Sequence, residues 1–174
     1  MLRGAHVTLV NASVSVAPPM FVDVVNVTSA ADMADVVKSR AAEQDIIIMT
    51  AAVADFCPSH PADEKIKKND SSYESVIELE RTEDILSYLG AHKAKGQLIC
   101  GFSMETQNML ENSKAKLAKK NADMIVANNL KVAGAGFGTD TNVVTLITAD
   151  DCTELEIMDK SCVAARIMDR LLQM

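Results

Sequence analysis

The chain has 174 residues and a net charge of -7, from 17 basic and 24 acidic side chains, with 3% aromatic residues and no Trp. This length suits one domain over residues 1–174, with a core of aliphatic side chains and methionines. The acidic balance excludes a general attraction to nucleic acid or to an anionic membrane surface. No apolar run reaches the ~18 residues that a membrane span requires.

The four cysteines indicate in which cellular compartment the protein is located. They stand at 57, 100, 152 and 162 and form no C-x-x-C pair. Cys57 and His60 make one C-x-x-H pair without a second, so no metal site is predicted. The first residues lack the apolar core of a signal peptide. We therefore expect free thiols and a location in the cytoplasm.

The first half of the chain alternates strand and helix patterns. Strands are predicted at 5–10, 21–27 and 45–50, with a helix at 30–43 that Thr28 and Ser29 cap. The run at 45–50 is nearly all apolar, which is typical of a strand covered on both faces.

A half-exposed strand is predicted at 73–80, because apolar and polar residues alternate there. Thr82 is predicted to cap a short helix over 83–91. Further predicted elements, in order, are a strand at 97–102, a helix at 105–120, strands at 122–128, 142–148 and 154–159, and a helix at 159–173. Strands that alternate with helices predict an α/β fold, a Rossmann-like three-layer sandwich with a mostly parallel sheet. Such folds usually open with a strand, a glycine-rich turn and a helix, and we expect this chain to lack that first unit.

The stretch from Thr50 to Lys68 is the first candidate site. It follows a predicted strand, and ligands of open α/β sheets bind outside the carboxyl ends of strands. The small side chains of Ala51 and Ala52 leave room for a ligand, and Asp55 supplies a carboxylate. The basic run that begins at Lys65 suits a flap over a phosphate group.

A second cluster of cations lies on the helix predicted at 105–120. Lys116 and Lys120 stand four residues apart, hence on one helix face, where they could hold a polyphosphate. The alternatives are that they complement the helix dipole near its C-terminus, or that this cluster and the basic run at Lys65 are solvated charged faces. Phe102 could stack on a base or complete the core. The glycines of AGAGFGTD precede a strand, so they fail as a dinucleotide fingerprint, and Asp140 and Asn142 there are polar contacts or turn formers.

No nucleophilic Ser-His-Asp or Cys-His set is assembled, so catalysis would rest on positioning and charge. Five motifs are specific enough to indicate a family: AAVADF at 51–56, EKIKK at 64–68, GFSMET at 101–106, KAKLAKKNADMIVAN at 114–128 and FGTDTNVVTLI at 137–147. In this order they resemble phosphopantothenoylcysteine synthetase, also called phosphopantothenate-cysteine ligase. That domain forms the C-terminal half of a bifunctional coenzyme A biosynthesis protein in most bacteria.

The resemblance implies a reaction in two steps. The carboxylate of 4'-phosphopantothenate attacks the α-phosphate of CTP, which gives an acyl-cytidylate and pyrophosphate. The amine of cysteine then displaces CMP and forms the amide. The resemblance also implies Mg²⁺ with the triphosphate, no flavin on this chain and a homodimer.

Roles for single residues follow from the same resemblance. Lys65 is the catalytic residue of the flap and also contacts the nucleotide, and Ala51 and Ala52 lie beneath the acyl intermediate. The remaining nucleotide contacts implied are Asp55, Glu83, Asp84, Ile85, Leu86, Phe102, Lys116 and Lys120.

The chain departs from the family pattern at two points. Glu83 stands where the family has the proline of Pro-Asp-Ile-Leu. The N-terminal Asn-x-Ser-Ser-Gly motif is not found. The alternative to the ligase is therefore a non-catalytic CTP-binding or assembly subunit of a split enzyme.

Overall fold

The computed structural model describes residues 2–12, 14, 16–62, 64, 65, 76–104, 108–129, 132, 136 and 138–174. The chain divides into two compact units: unit 1 comprises Met1–Val37 and Ala52–Asp84, and unit 2 comprises Lys38–Ala51 and Ile85–Met174. None of the helices in the described part of the chain has the length and hydropathy that a membrane span requires.

Unit 1 contains two pairs of short strands. Strands β1 (Thr8–Asn11) and β2 (Asp23–Asn26) are parallel. Strands β4 (Phe56–Pro58) and β5 (Leu79–Arg81) form an antiparallel ribbon. The strand predicted at 73–80 is thus shorter and later, and residues 73–75 lie outside the described residues. The strand at Phe56–Pro58 was missed because Pro58 and the nearby Pro61 suggested an irregular segment, although Pro is tolerated in an edge strand.

Helix α1 (Ala30–Ala41) begins in unit 1, and its last residues belong to unit 2. Its N-terminus is a reciprocal capping box, as the Thr28 and Ser29 pattern predicted. Asp32 Oδ2 accepts hydrogen bonds from Thr28 Oγ1 at 2.8 Å and Ser29 N at 2.9 Å, and Asp32 N donates to Ser29 Oγ at 3.0 Å. These bonds, with that from the Thr28 hydroxyl the largest cause, lower the pKa of Asp32 to about 2.

Unit 2 is built on a five-stranded sheet in the order β10-β9-β7-β6-β3. Its strands are β3 (Ile46–Met49), β6 (Leu98–Met104), β7 (Met124–Asn128), β9 (Val144–Ile147) and β10 (Cys152–Glu154). The first three are parallel to one another, whereas β9 and β10 are antiparallel to their neighbours. The prediction of an α/β fold with a sheet that is mostly parallel in its core is therefore confirmed.

Helices cover both faces of this sheet. Helix α4 (Lys160–Leu171) packs its buried Val163, Ile167 and Leu171 on one face, in a core cluster with Cys100 and Val126. Helices α2 (Ile85–Ala91) and α3 (Met109–Lys120) contact the other face through strands β6 and β7. A further short pair, β8 (Thr141–Asn142) with β11 (Met158–Asp159), precedes α4. The helix predicted at 159–173 is confirmed.

Two expectations about unit 2 were wrong. Strand β3 is half-buried along its whole length and lies at the end of the strand order of unit 2, so it is an edge strand and is less buried than the prediction required. An apolar run cannot distinguish an edge strand from a central one. Thr82 does not cap α2, which begins at Ile85; in unit 1 its hydroxyl donates to the carbonyl of Ala54 instead. The predicted start of α3 at Glu105 lies outside the described residues.

The capping box predicts a contribution to the stability of the fold that depends on pH. The carboxylate of Asp32 stabilises the folded state above its ordinary pKa of 3.8, and that contribution is lost as the pH falls toward 2. Asp32→Ala should therefore lower the thermal unfolding temperature at pH 7, and the difference from the unmodified chain should vanish near pH 2. Ser29→Ala, which removes the reciprocal bond, should cost about 1 kcal/mol. The control is Glu43→Ala; an equal effect of that variant, or a pH-independent deficit for Asp32→Ala, would contradict the assignment.

Candidate functional site

The carboxyl ends of the parallel strands of unit 2 form the candidate ligand site. Because β3, β6 and β7 are parallel, their last residues lie at one edge, here called the carboxyl edge and defined by Ala51, Met104 and Asn128. Ala51 follows β3 by two residues and is exposed. In open α/β sheets this edge is where ligands bind.

Lys116 reaches this side of the unit from helix α3. Its Nζ donates to the carbonyl oxygen of Phe102 at 2.8 Å, two residues before the end of β6. Side chains on a helix point back toward its N-terminus, which explains how a lysine in the second half of α3 contacts the last residues of β6. Among the described residues, the hydrogen-bond partner of Lys116 is thus a neutral carbonyl and not a carboxylate. Its positive charge remains available to an anion.

Lys120 occupies the next turn of the same helix and is also half-buried. Its Nζ donates to Ser87 Oγ at 2.9 Å, in the first turn of α2. That turn contains Ile85, which is buried, and Leu86, which is half-buried. The structure therefore brings Lys120 beside the segment that the sequence analysis assigned to the nucleotide. The two lysines make specific contacts, which a purely solvated charged face would not.

The side chain and the backbone carbonyl of Phe102 make different contacts. Its side chain is half-buried and packs against the core cluster under α4, while its carbonyl accepts the bond from Lys116. Of the two readings of this residue, the structure supports completion of the core. Contact of the ring with a base stays a prediction.

Small residues let strand β6 and helices α2 and α3 approach one another closely. A Cβ on Gly101 would lie 2.7 Å from Leu86 Cδ2, and a Cβ on Gly90 would lie 1.8 Å from the carbonyl oxygen of Lys120. Ser103 and Ser113, both buried, share a hydrogen bond of 2.8 Å between β6 and α3. These contacts fix the helices that present Lys116 and Lys120.

The other predicted site residues belong to unit 1. Ala52, Asp55 and Lys65 are all exposed, as are Glu83 and Asp84. The division between the units falls between Asp84 and Ile85, so the four-residue segment 83–86 is shared between them. Lys67 and Lys68 lie outside the described residues.

Asp55 is anchored through its backbone. Its carbonyl accepts from Thr82 N at 3.0 Å, next to the bond between Thr82 Oγ1 and Ala54. On the adjoining ribbon the Arg81 guanidinium lies 5.6 Å from the centre of the Phe56 ring. The Asp55 side chain is exposed at the base of this ribbon. The supporting contacts of Thr82 and Ser87 were not predicted from the sequence, because a lone hydroxyl belongs to no recognisable motif.

Cys100 is not a candidate nucleophile. It is fully buried in the core cluster, and burial, with a smaller effect of Asp123, raises the pKa of its thiol to about 12. All four cysteines are free, as predicted. Within the described residues, no three His, Cys, Asp or Glu side chains converge in a way that could hold a metal ion.

A profile of the DNA/pantothenate metabolism flavoprotein C-terminal domain matches residues 1–174. The chain belongs to this family. It is 45% identical over 170 residues to the coenzyme A biosynthesis bifunctional protein CoaBC of Bacillus subtilis, covering 97% of this chain and 41% of that protein. The resemblance inferred from the five motifs is thereby confirmed.

Two further relatives extend the comparison. A protein named cysteine/cysteine sulfinic acid decarboxylase, from an unknown prokaryotic organism, is 44% identical over 171 residues, which cover 97% of this chain and 47% of that protein. A crystal structure of the C-terminal domain of a CoaBC protein superimposes with a TM-score of 0.80 at 40% identity, over 99% of this chain and 77% of that domain. The chain thus spans less than half the length of these two curated relatives, whose names differ.

The close packing of α2 on β6 makes a testable prediction. Gly101→Ala should cost about 1–3 kcal/mol, because the new methyl group overlaps the flexible side chain of Leu86. The double variant with Leu86→Ala should be more stable than the sum of the single effects predicts. Gly90→Ala is the contrast, since its methyl meets backbone and Leu86→Ala should not relieve it. Chemical denaturation of the three single variants and the two double variants tests this; strict additivity for Gly101 would contradict the contact.

Proposed function

We propose that the chain is a phosphopantothenate-cysteine ligase domain in coenzyme A biosynthesis, which uses CTP to join 4'-phosphopantothenate and cysteine through an acyl-cytidylate. The observation that carries this proposal is the bond of 2.8 Å between Lys116 Nζ and the Phe102 carbonyl. It holds a cation at the end of a central parallel strand, where a phosphate-bearing ligand is expected. The match to CoaBC proteins supports the substrates proposed.

The electrostatic role of the two lysines suits this chemistry. When the substrate carboxylate attacks the α-phosphate, the bond to the β-phosphate breaks and negative charge collects on the leaving pyrophosphate. Ammonium groups that are already oriented stabilise that charge without reorganising. We propose that Lys116 and Lys120 act in this way, with Lys116 oriented by the Phe102 carbonyl and Lys120 by the Ser87 hydroxyl. Cysteine then attacks the acyl carbon, its amine loses a proton, and CMP leaves.

Small side chains and backbone complete the proposed roles. Ala51 at the carboxyl edge leaves space for the acyl group, and the first turn of α2 contacts the nucleotide through Ile85 and Leu86. In unit 1 we propose nucleotide contacts for Asp55, Glu83 and Asp84, an acyl contact for Ala52 and a catalytic role for Lys65.

Mg²⁺ is expected to accompany the triphosphate. The described residues contain no cluster of three acidic or His side chains for a metal. This fits an ion that is bound chiefly through phosphate oxygens and water, as Mg²⁺ often is, with at most one or two carboxylates from the protein. We further propose a homodimer without flavin on this chain, located in the cytoplasm, where four free thiols stay reduced.

Pyrophosphate release tests the proposed function. The chain mixed with CTP, Mg²⁺ and 4'-phosphopantothenate should release pyrophosphate, and addition of cysteine should yield CMP and the amide. Binding of CTP in calorimetry without any release would favour the alternative, a non-catalytic nucleotide-binding subunit. Absence of both binding and release would contradict either function.

The contact of Lys116 predicts an effect on nucleotide affinity. Lys116→Met should weaken CTP binding by about 10- to 100-fold, because a hydrogen bond to a charged group contributes ~1.5–3 kcal/mol. Lys114→Met is the matched control, since Lys114 is exposed on the same helix. Calorimetric titration with CTP measures both. Equal losses in the two variants would show that α3 contributes general charge and not a specific contact.

Unit 1 generates a separate prediction. Lys65→Gln should lower the rate of pyrophosphate release with little change in thermal stability, because its exposed side chain makes no contribution to a core. Asp55→Ala should instead raise the KM for CTP. Steady-state kinetics separate the two effects, and unchanged parameters in both variants would remove these residues from the site.

A further inference from the structure

Thr82 donates hydrogen bonds to two consecutive residues of unit 1. Its backbone nitrogen lies 3.0 Å from the carbonyl oxygen of Asp55, and its hydroxyl donates to the carbonyl oxygen of Ala54. Thr82 is half-buried, whereas Ala54 and Asp55 are exposed. One residue therefore holds two successive carbonyl groups of an otherwise exposed turn.

These two bonds restrain the backbone on both sides of the Asp55 Cα. The carbonyl of Ala54 belongs to the peptide group that precedes this Cα, and the carbonyl of Asp55 belongs to the peptide group that follows it. Because peptide groups are planar, the backbone at Asp55 can change only by rotation of these two groups about the Cα. Thr82 restrains both rotations. It thereby fixes the direction in which the Asp55 side chain leaves the backbone.

The two bonds depend on different parts of Thr82. The register of the β4–β5 ribbon pairs Phe56 with Arg81, so Asp55 and Thr82 are the next pair, and their backbone bond continues the ladder. Any residue except proline could donate that bond. The bond to Ala54, in contrast, requires a hydroxyl group in the side chain at position 82. The hydroxyl can therefore be removed while the ribbon stays paired.

Thr82 also connects the proposed nucleotide contacts of unit 1 to one another. Glu83 and Asp84 follow it directly in the sequence, and its two bonds join this segment to the turn that carries Asp55. Three of the residues proposed to contact the nucleotide thus share one anchoring residue. A carboxylate whose direction is already fixed loses less conformational entropy when it binds a ligand.

We propose that Thr82 is a positioning residue for nucleotide binding, whose hydroxyl holds the peptide group before Asp55 and so directs the Asp55 carboxylate toward CTP. The inference rests on the proposed function, in which Asp55 contacts the nucleotide, and it adds a residue that acts through Asp55 without contacting the ligand.

Substitutions at position 82 separate the hydroxyl from the shape of the side chain. Thr82→Val removes the hydroxyl and keeps both the branched shape and the backbone N–H, and it should weaken CTP binding by about 3- to 10-fold in calorimetry. Thr82→Ser retains the hydroxyl and should bind nearly as tightly as the unmodified chain. Thr82→Ala is titrated in parallel and should match the valine variant, which excludes an effect of the added methyl group.

A double variant provides a readout that a merely structural role would not give. If Thr82 acts through Asp55, the pair Thr82→Val with Asp55→Ala should bind CTP no more weakly than Asp55→Ala alone, whereas independent effects would add. Thr153→Val is the matched control. It removes the hydroxyl that donates to Asp151 at 2.8 Å in unit 2, and it should bind CTP as the unmodified chain does.

Each outcome decides the proposal. Weaker binding in the valine and alanine variants, recovery in Thr82→Ser and no further loss in the double variant support it. Unaltered affinity in Thr82→Val or in Asp55→Ala, full additivity in the double variant, or an equal loss in Thr153→Val overturns this inference and leaves the proposed function intact. If the unmodified chain binds no CTP, the proposed function and this inference both fail.

Discussion

The close approach of helices α2 and α3 to strand β6 is the constraint on which the candidate site of unit 2 depends. Gly101 and Gly90 have no Cβ where one would overlap Leu86 or the backbone of Lys120. The buried hydrogen bond between Ser103 and Ser113 then holds α3 to the strand. Larger residues at these positions would separate the layers, and Lys116 would no longer contact the Phe102 carbonyl. The packing of α2, α3 and β6 against one another therefore determines the positions of Lys116 and Lys120.

This arrangement explains how an acidic chain can bind an anion. The net charge of -7 disfavours anions in general, so attraction must come from cations held at defined positions. Lys116 and Lys120 donate to a carbonyl and a hydroxyl, which orient them, and the neutral carbonyl leaves the positive charge of Lys116 in place. By contrast Lys93 is paired with Asp123, which also accepts from Ile99 N at 2.7 Å, so that pair serves the fold. The charge of the partner therefore distinguishes Lys116, which donates to a neutral carbonyl, from Lys93, which is paired with a carboxylate.

Local patterns predicted much of this fold, because their causes are local. The capping box of α1 and the helical spacing of Val163, Ile167 and Leu171 depend on near neighbours in sequence. The edge position of β3 and the contact of Thr82 with Ala54 depend on distant segments, and no periodicity reports them. In the candidate site, the four-residue spacing of Lys116 and Lys120 predicted that both lie on the same face of a helix. Their hydrogen-bond partners required the three-dimensional arrangement.

A crystal structure of the chain with CTP, in which a methylene group replaces the oxygen between the α- and β-phosphates, tests the central claim most directly. We expect triphosphate oxygens within hydrogen-bond distance of Lys116 Nζ and Lys120 Nζ, beside the first turn of α2. A triphosphate bound away from helix α3, with both lysines retaining only their contacts to Phe102 and Ser87, would contradict it.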